Sequence, residues 1–77
     1  MNLLETLNRL KWDSRYKFEE AKIYYEDRKA GETSIIYGKE IFKIGEKFLE
    51  TERGYIPLHR ITKIEYEGKI IWINRPS

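Results

Sequence analysis

The sequence predicts an α+β domain, a short N-terminal helix packed on a strongly bent antiparallel sheet of about five or six strands. Three observations carry this prediction. A leucine stripe at helical spacing opens the chain, and from residue 22 onward β-branched and aromatic residues fall into short alternating runs. Turn signals containing Gly separate those runs. Seventy-seven residues without an internal repeat, linker or low-complexity tract make one domain, 1–77.

The helix comes first. Asn2 followed three residues later by Glu5 is a variant of the capping box, and Leu3, Leu4, Leu7 and Leu10 share one face. The spacing predicts a helix over about 3–11, with Asn8, Arg9 and Lys11 facing away and Asp13-Ser14 stopping it after Trp12. A helix this short is unstable alone and needs a sheet to lie on.

From Lys22 to Arg28 the chain alternates: Ile23, Tyr25 and Asp27 share the face expected to be buried, and Lys22, Tyr24, Glu26 and Arg28 share the other. Lys29-Ala30-Gly31-Glu32 is a turn, and Ser34 to Tyr37 returns as the partner strand of a hairpin that Gly38 breaks. Lys39 to Ile44 fits both a helical turn and a strand, and is expected to be irregular or one helical turn. Lys47 to Thr51 is a strand with Leu49 opposed to Phe48 and Glu50, followed by a turn at Glu52-Arg53-Gly54. Pro57 after Tyr55-Ile56 cannot donate a ladder hydrogen bond, so that stretch belongs at an edge or a bend. Ile61, Ile64 and Tyr66 lead into Glu67-Gly68, a two-residue hairpin turn, and Ile70 to Ile73 return; Asn74 to Ser77 is expected to be a frayed tail.

Composition narrows the function classes. There is no cysteine and one histidine, so disulfide staples and thiolate zinc sites are excluded, and no metal or other cofactor is expected. Stability must come from apolar burial, supplied by 11 isoleucines, six tyrosines, three phenylalanines and two tryptophans. Charged residues are 36% of the chain and nearly cancel to +2. Residues 1–37 hold seven Lys/Arg and seven Asp/Glu, whereas residues 53–77 hold five and two, so the positive excess sits in the last third. That field suits a phosphate group better than a long duplex. The preference for Glu over Asp, the absence of Gln and Cys and the abundance of Lys and Ile follow the drift of heat-adapted, thermophile proteins. No apolar run reaches membrane-spanning length and the first residues lack signal-peptide order, so a soluble, cytoplasmic protein without membrane partners is expected.

Few side chains carry chemistry. His59 is the one group that titrates near neutrality when unperturbed, and any proton transfer would look there first; its structural alternative is a hydrogen bond to a neighbouring carbonyl. The paired His-x-Ser/Thr motifs of cyclic phosphodiesterases are absent, because a single His59 is followed by Arg60-Ile61-Thr62. Arg60 offers a planar fork matched to phosphate, against the alternative of an ion pair with one of 11 glutamates, and Arg28 has the same two readings. Asp27, on the apolar face of its strand, must meet an arginine, His59 or the turn amides that follow it, and is expected to orient a neighbour. Trp12, Trp72 and Tyr24 are candidates for stacking on a base. For the two tryptophans the competing reading is burial in the core; Tyr24 shares the polar face with Lys22 and Arg28. Gly31, Gly54 and Gly68 match neither Gly-rich phosphate-loop signature.

Four stretches carry a resemblance: Leu-x-x-Leu-Lys-Trp-Asp at Leu7 to Asp13, Tyr-x-Asp-Arg at Tyr25 to Arg28, Ile-Pro-Leu-His-Arg-Ile at Ile56 to Ile61, and Glu-Gly followed by Ile-Ile-Trp at Glu67 to Trp72. Together they resemble the small archaeal domain family named for RNA cyclic-group-end recognition. The resemblance implies a binding module for single-stranded RNA 3′ ends bearing a 2′,3′-cyclic phosphate or a related phosphate. It places the motif at Asp27, Arg28, His59 and Arg60, with Trp12 and Trp72 accompanying. On that reading Arg28 and Arg60 grip the phosphate, His59 donates to it, Asp27 orients one of them, and Tyr24 or Trp72 contacts the base. Two other classes stand beside it. One is an interaction protein pairing through the exposed edge near Tyr55-Ile56, a homo-oligomer among the options; the other is a phosphodiesterase with His59 as its sole acid or base.

Overall fold

A computed structural model describes residues 2–74 of the chain. One helix and seven strands follow in the order α1 (Leu3–Trp12), β1 (Lys22–Asp27), β2 (Glu32–Tyr37), β3 (Ile41–Ile44), β4 (Phe48–Thr51), β5 (Gly54–Pro57), β6 (Ile61–Tyr66) and β7 (Lys69–Ile73). All strand pairings are antiparallel, in a four-stranded sheet of order β2-β1-β6-β7 and a three-stranded sheet of order β3-β4-β5. The α+β class is the expected one. The strands number seven and divide between two sheets, where one bent sheet of about five or six was expected.

The division happens at Gly38. A 3-10 turn over Gly38–Glu40 ends β2 and redirects the chain, and the ambiguous segment that follows becomes β3. Gly38 donates its amide to Ala21 O at 2.9 Å, and a Cβ built there would stand 1.8 Å from Phe18 O. Only glycine lets the turn Gly38–Glu40 cross so close to the 3-10 turn Phe18–Glu20 that leads into β1.

The helix begins as its capping residues dictate: Asn2 Oδ1 accepts from the Glu5 amide at 2.8 Å. Leu7 and Leu10 are fully buried and meet Ile23, Ile36, Ile61 and Ile64 from the inner face of the larger sheet and Leu49 from the smaller one. Each such side chain contributes on the order of 1.5–3 kcal/mol by leaving water. The Tyr66 hydroxyl accepts from the Lys17 amide at 2.8 Å and its ring meets Tyr16 edge-on, tying the link after α1 to β6. The Glu67-Gly68 hairpin has positive φ at both central residues, 51° and 78°, the backbone that a two-residue hairpin needs.

Trp12 is not core. It is 76% exposed, with Lys11 Nζ 5.6 Å from its ring centroid. At 100° per residue, position 12 turns well away from the stripe of Leu7 and Leu10. Trp72 packs half-buried against the core opposite Ile64. Asn74 remains tied to the sheet through its amide and Thr62 O at 2.9 Å, and the rest of the expected tail lies outside the described residues. No helix among the described residues is long and apolar enough to cross a membrane.

Candidate phosphate-binding cleft

The last motif residues sit on a short 3-10 turn. Pro57 has φ −60° and ends β5, Leu58–Arg60 form the turn, and the Ile61 amide closes it on Leu58 O. Successive residues of a 3-10 turn point about 120° apart. His59 and Arg60, adjacent in sequence, therefore leave the turn in different directions.

Arg60 enters a cleft of about 240 Å³ where the two sheets meet. Tyr25 and Ile56, both buried, lie at its base, and Asp27, Lys29, Arg53 and Tyr55 stand around it. A shift in register between β1 and β6 at Tyr24/Tyr25 puts Tyr25 opposite Ile61, next to Arg60. A bulge of this kind re-aims side chains beside a site.

The charges of this cleft differ in what already holds them. Asp27 Oδ1 accepts from the amides of Lys29 and Ala30 at 3.0 and 3.3 Å, the turn-amide alternative among its three expected partners. It shapes the turn that carries Lys29. Arg53 is engaged: Nη2 lies 3.2 Å from Glu40 Oε1, and Nη1 donates to Ile35 O at 3.0 Å. Its pKa stands above the usual guanidinium value, first because of the Tyr25 hydroxyl, with burial opposing and Glu40 reinforcing the rise. The Thr51 hydroxyl accepts from the Arg53 amide at 3.0 Å and donates to Gly54 O at 2.8 Å, which sets the turn presenting Arg53 and Tyr55.

Arg60 is different. Among the described residues the ion pairs are Arg15 with Asp13 and Arg53 with Glu40, so neither Arg60 nor Arg28 has the glutamate partner that the structural reading offered. Arg60 Nε is buried and has no hydrogen-bond partner among the described residues. A buried donor without an acceptor costs on the order of 1–3 kcal/mol.

The structure thus brings Asp27 and Arg60 together at one cleft. Arg28 lines an adjoining depression that shares Glu26 and Asp27 with it. His59, exposed, lines one depression with Leu3, Leu4, Leu58 and Trp72 on the side of α1 and another with Lys47, Phe48 and Pro57, both apart from the Arg60 cleft. Tyr24 lies in the outer face of β1, its hydroxyl donating to Glu65 Oε1 at 3.0 Å and its ring under Lys63 Nζ at 4.2 Å. Burial, then Glu65, pushes its phenol pKa up, so it remains a donor at neutral pH.

Lys29, Arg53 and Tyr55 were not among the phosphate or base contacts read from the sequence. Their signals were present: a lysine directly after a motif Asp-Arg, and an Arg-Gly-Tyr turn. Nothing local shows that turns 24 residues apart meet.

The model of the family described as the MJ1316 RNA cyclic group end recognition domain matches residues 1–74. The chain belongs to that family. The MJ1316 domain's name describes recognition of RNA ends that carry a cyclic group, and it covers nearly the whole chain, including both halves of the cleft. No curated protein and no solved structure matches the chain.

Proposed function

We propose that the domain binds the 2′,3′-cyclic phosphate end of single-stranded RNA in the Arg60 cleft, as a reader of the end. The observation that carries this reading is Arg60, which lines the cleft beside Lys29 and Arg53 without an ion-pair partner among the described residues. A five-membered cyclic phosphodiester presents two non-bridging oxygens and a single negative charge. An arginine fork matches that pair of oxygens. Asp27 organises the turn of Lys29, and Arg28 supplies attraction from the adjoining depression.

Charge counting favours the cyclic end over an open one. Lys29, Arg53 and Arg60 stand with Glu26 and Asp27 around the cleft, and Glu40 already holds Arg53, so the local charges balance at three against three. A ring-opened 3′-phosphate carries about −1.5 to −2 at pH 7. The second charge meets no net positive surplus and is repelled by Glu26 and Asp27.

The test is binding of one short RNA ending in a cyclic phosphate, a 3′-phosphate or a 3′-hydroxyl, at two salt concentrations, with the RNA recovered afterwards. The expected order is cyclic, then 3′-phosphate, then hydroxyl, with a shallow salt dependence because few phosphates are neutralised. Arg60→Ala should lower affinity for the cyclic end by roughly tenfold or more and erase the preference, in line with about 1.5–3 kcal/mol for hydrogen bonds to charged groups. Equal binding of the three ends, or a preference that survives Arg60→Ala, would overturn the reading. Ring-opened RNA in the recovered sample would make the domain an enzyme.

A further inference from the structure

The three-stranded sheet carries its own surface feature. Tyr55 is 72% exposed and Phe48 46% exposed, and their ring centroids lie 6.2 Å apart at 43°. They come from neighbouring strands in the β4–β5 pair, where Phe48 faces Pro57 and Tyr55 faces Glu50. A domain this small exposes large aromatic area only at a cost in free energy. The rings are too tilted to stack on one another, so neither hides the other from water.

We propose that Tyr55 and Phe48 form the platform on which the nucleobase of the RNA terminus stacks, which makes the domain selective for unpaired ends. This inference rests on the phosphate reading of the Arg60 cleft and adds the base to it. Two observations select a nucleobase as the occupant. The first is continuity: Tyr55 lines the Arg60 cleft and also the depression beside Phe48, so one nucleotide spans both with its phosphate in one and its base on the other. The second is charge. The depression beside Phe48 holds Lys43 and Lys47 against Glu46 and Glu50, a balanced set that offers no net attraction to a second phosphate and suits a neutral aromatic ring.

The platform also explains why an end group is read in single strands. A base stacked within a duplex has both faces covered, whereas a terminal unpaired base has a free face for Tyr55. The other aromatic candidates are placed less well for the same nucleotide. Tyr24 is engaged by Glu65 and Lys63, and Trp72 lines the depression of His59 on the side of α1.

The experiment pairs protein and ligand changes. Wild type, Tyr55→Ala, Tyr55→Trp and Phe48→Ala are each titrated with a cyclic-phosphate RNA whose terminal nucleotide is either intact or abasic, and with the intact 3′-hydroxyl RNA. Tyr55→Ala should weaken binding of the intact cyclic RNA about fivefold to hundredfold, the range for loss of one base–aromatic stack. It should leave the abasic cyclic RNA unchanged, and Tyr55→Trp should restore the intact one. Phe48→Ala should act in the same sense and more weakly. Equal losses on intact and abasic RNA, or no loss on either, would overturn the platform while leaving the cyclic-over-hydroxyl preference as separate support for the cleft. A wild type with no cyclic preference would instead remove the phosphate reading on which the inference stands. Self-association that disappears in Tyr55→Ala while RNA binding is unchanged would also overturn it, assigning the aromatic pair to a second copy of the chain.

Discussion

The two sheets expose different kinds of apolar residue, mainly isoleucines in the larger and aromatics in the smaller. The four-stranded sheet buries Ile23, Ile36, Ile61 and Ile64 to 1% exposure or less, while its edge strands β2 and β7 leave Ile35, Tyr37, Ile70, Ile71 and Ile73 partly in water. The three-stranded sheet has one side chain buried as completely, Leu49, and leaves Phe42, Phe48 and Tyr55 in water. The sheet with the longer strands supplies most of the fully buried core, and the short-stranded sheet presents Phe42, Phe48 and Tyr55 to solvent. The difference teaches that a 77-residue domain concentrates its fully buried side chains in one sheet and helix, and leaves apolar surface on both sheets.

The sharpest way to break this contrast is to cut into both sheets and compare. Ile64→Ala, at a fully buried site between β1 and β7, should cost about 2–5 kcal/mol, enough to unfold much of a marginal domain. Tyr55→Ala and Phe48→Ala, on exposed positions, should stay within about 0.5 kcal/mol in chemical denaturation. Comparable losses at Ile64 and Tyr55 would mean that the small sheet is also structural.

Gly38→Ala tests the joint between the sheets. Its Cβ would meet the carbonyl of Phe18 at a distance real contacts never reach, so backbone must move, and the cost should be about 1–3 kcal/mol or more. Because that turn also carries Glu40, the partner of Arg53, the variant should weaken RNA binding more than its loss of stability alone explains. Binding equal to wild type at a temperature where the variant is folded would uncouple the joint from the cleft.

The smallest effect belongs to an exposed pair far from both sheets' cores. Arg15 beside Asp13, 2.7 Å away, lowers the aspartate pKa from 3.8 to about 2, chiefly through the side-chain hydrogen bond. A depressed folded-state pKa stabilises above the unfolded value, so the contribution is present at pH 7 and is lost as pH falls from about 4 through about 2. Melting curves of wild type and Asp13→Asn should differ slightly at pH 7 and converge near pH 2. A gap that persists to pH 2 would rule this pair out as its source.

How much was legible beforehand follows from how local each feature is. Asn2 and Glu5, the alternation around Ile23 and Tyr25, and Glu67-Gly68 act on their own segment of backbone, and α1, β1 and the last hairpin appear where they predict. Lys39 to Ile44 failed to declare itself because Ile41 and Ile44 fit helical spacing while Phe42 and Ile44 fit alternation, and the packing of Gly38 against Phe18 resolves it. Trp12 misled in its core reading because size alone says nothing about which side of a helix a residue occupies.

By itself, the sequence determined the helix, most of the strands, the turns between them, the family and the presence of arginines suited to an anion. Those are short-range matters of side-chain period, turn backbone and residue chemistry. Only the tertiary structure decided that Lys29, Arg53, Tyr55 and Arg60 surround one cleft while His59 lies outside it. That choice depends on where two sheets meet and on the direction in which a three-residue turn releases each side chain, and neither is encoded in any single stretch of chain.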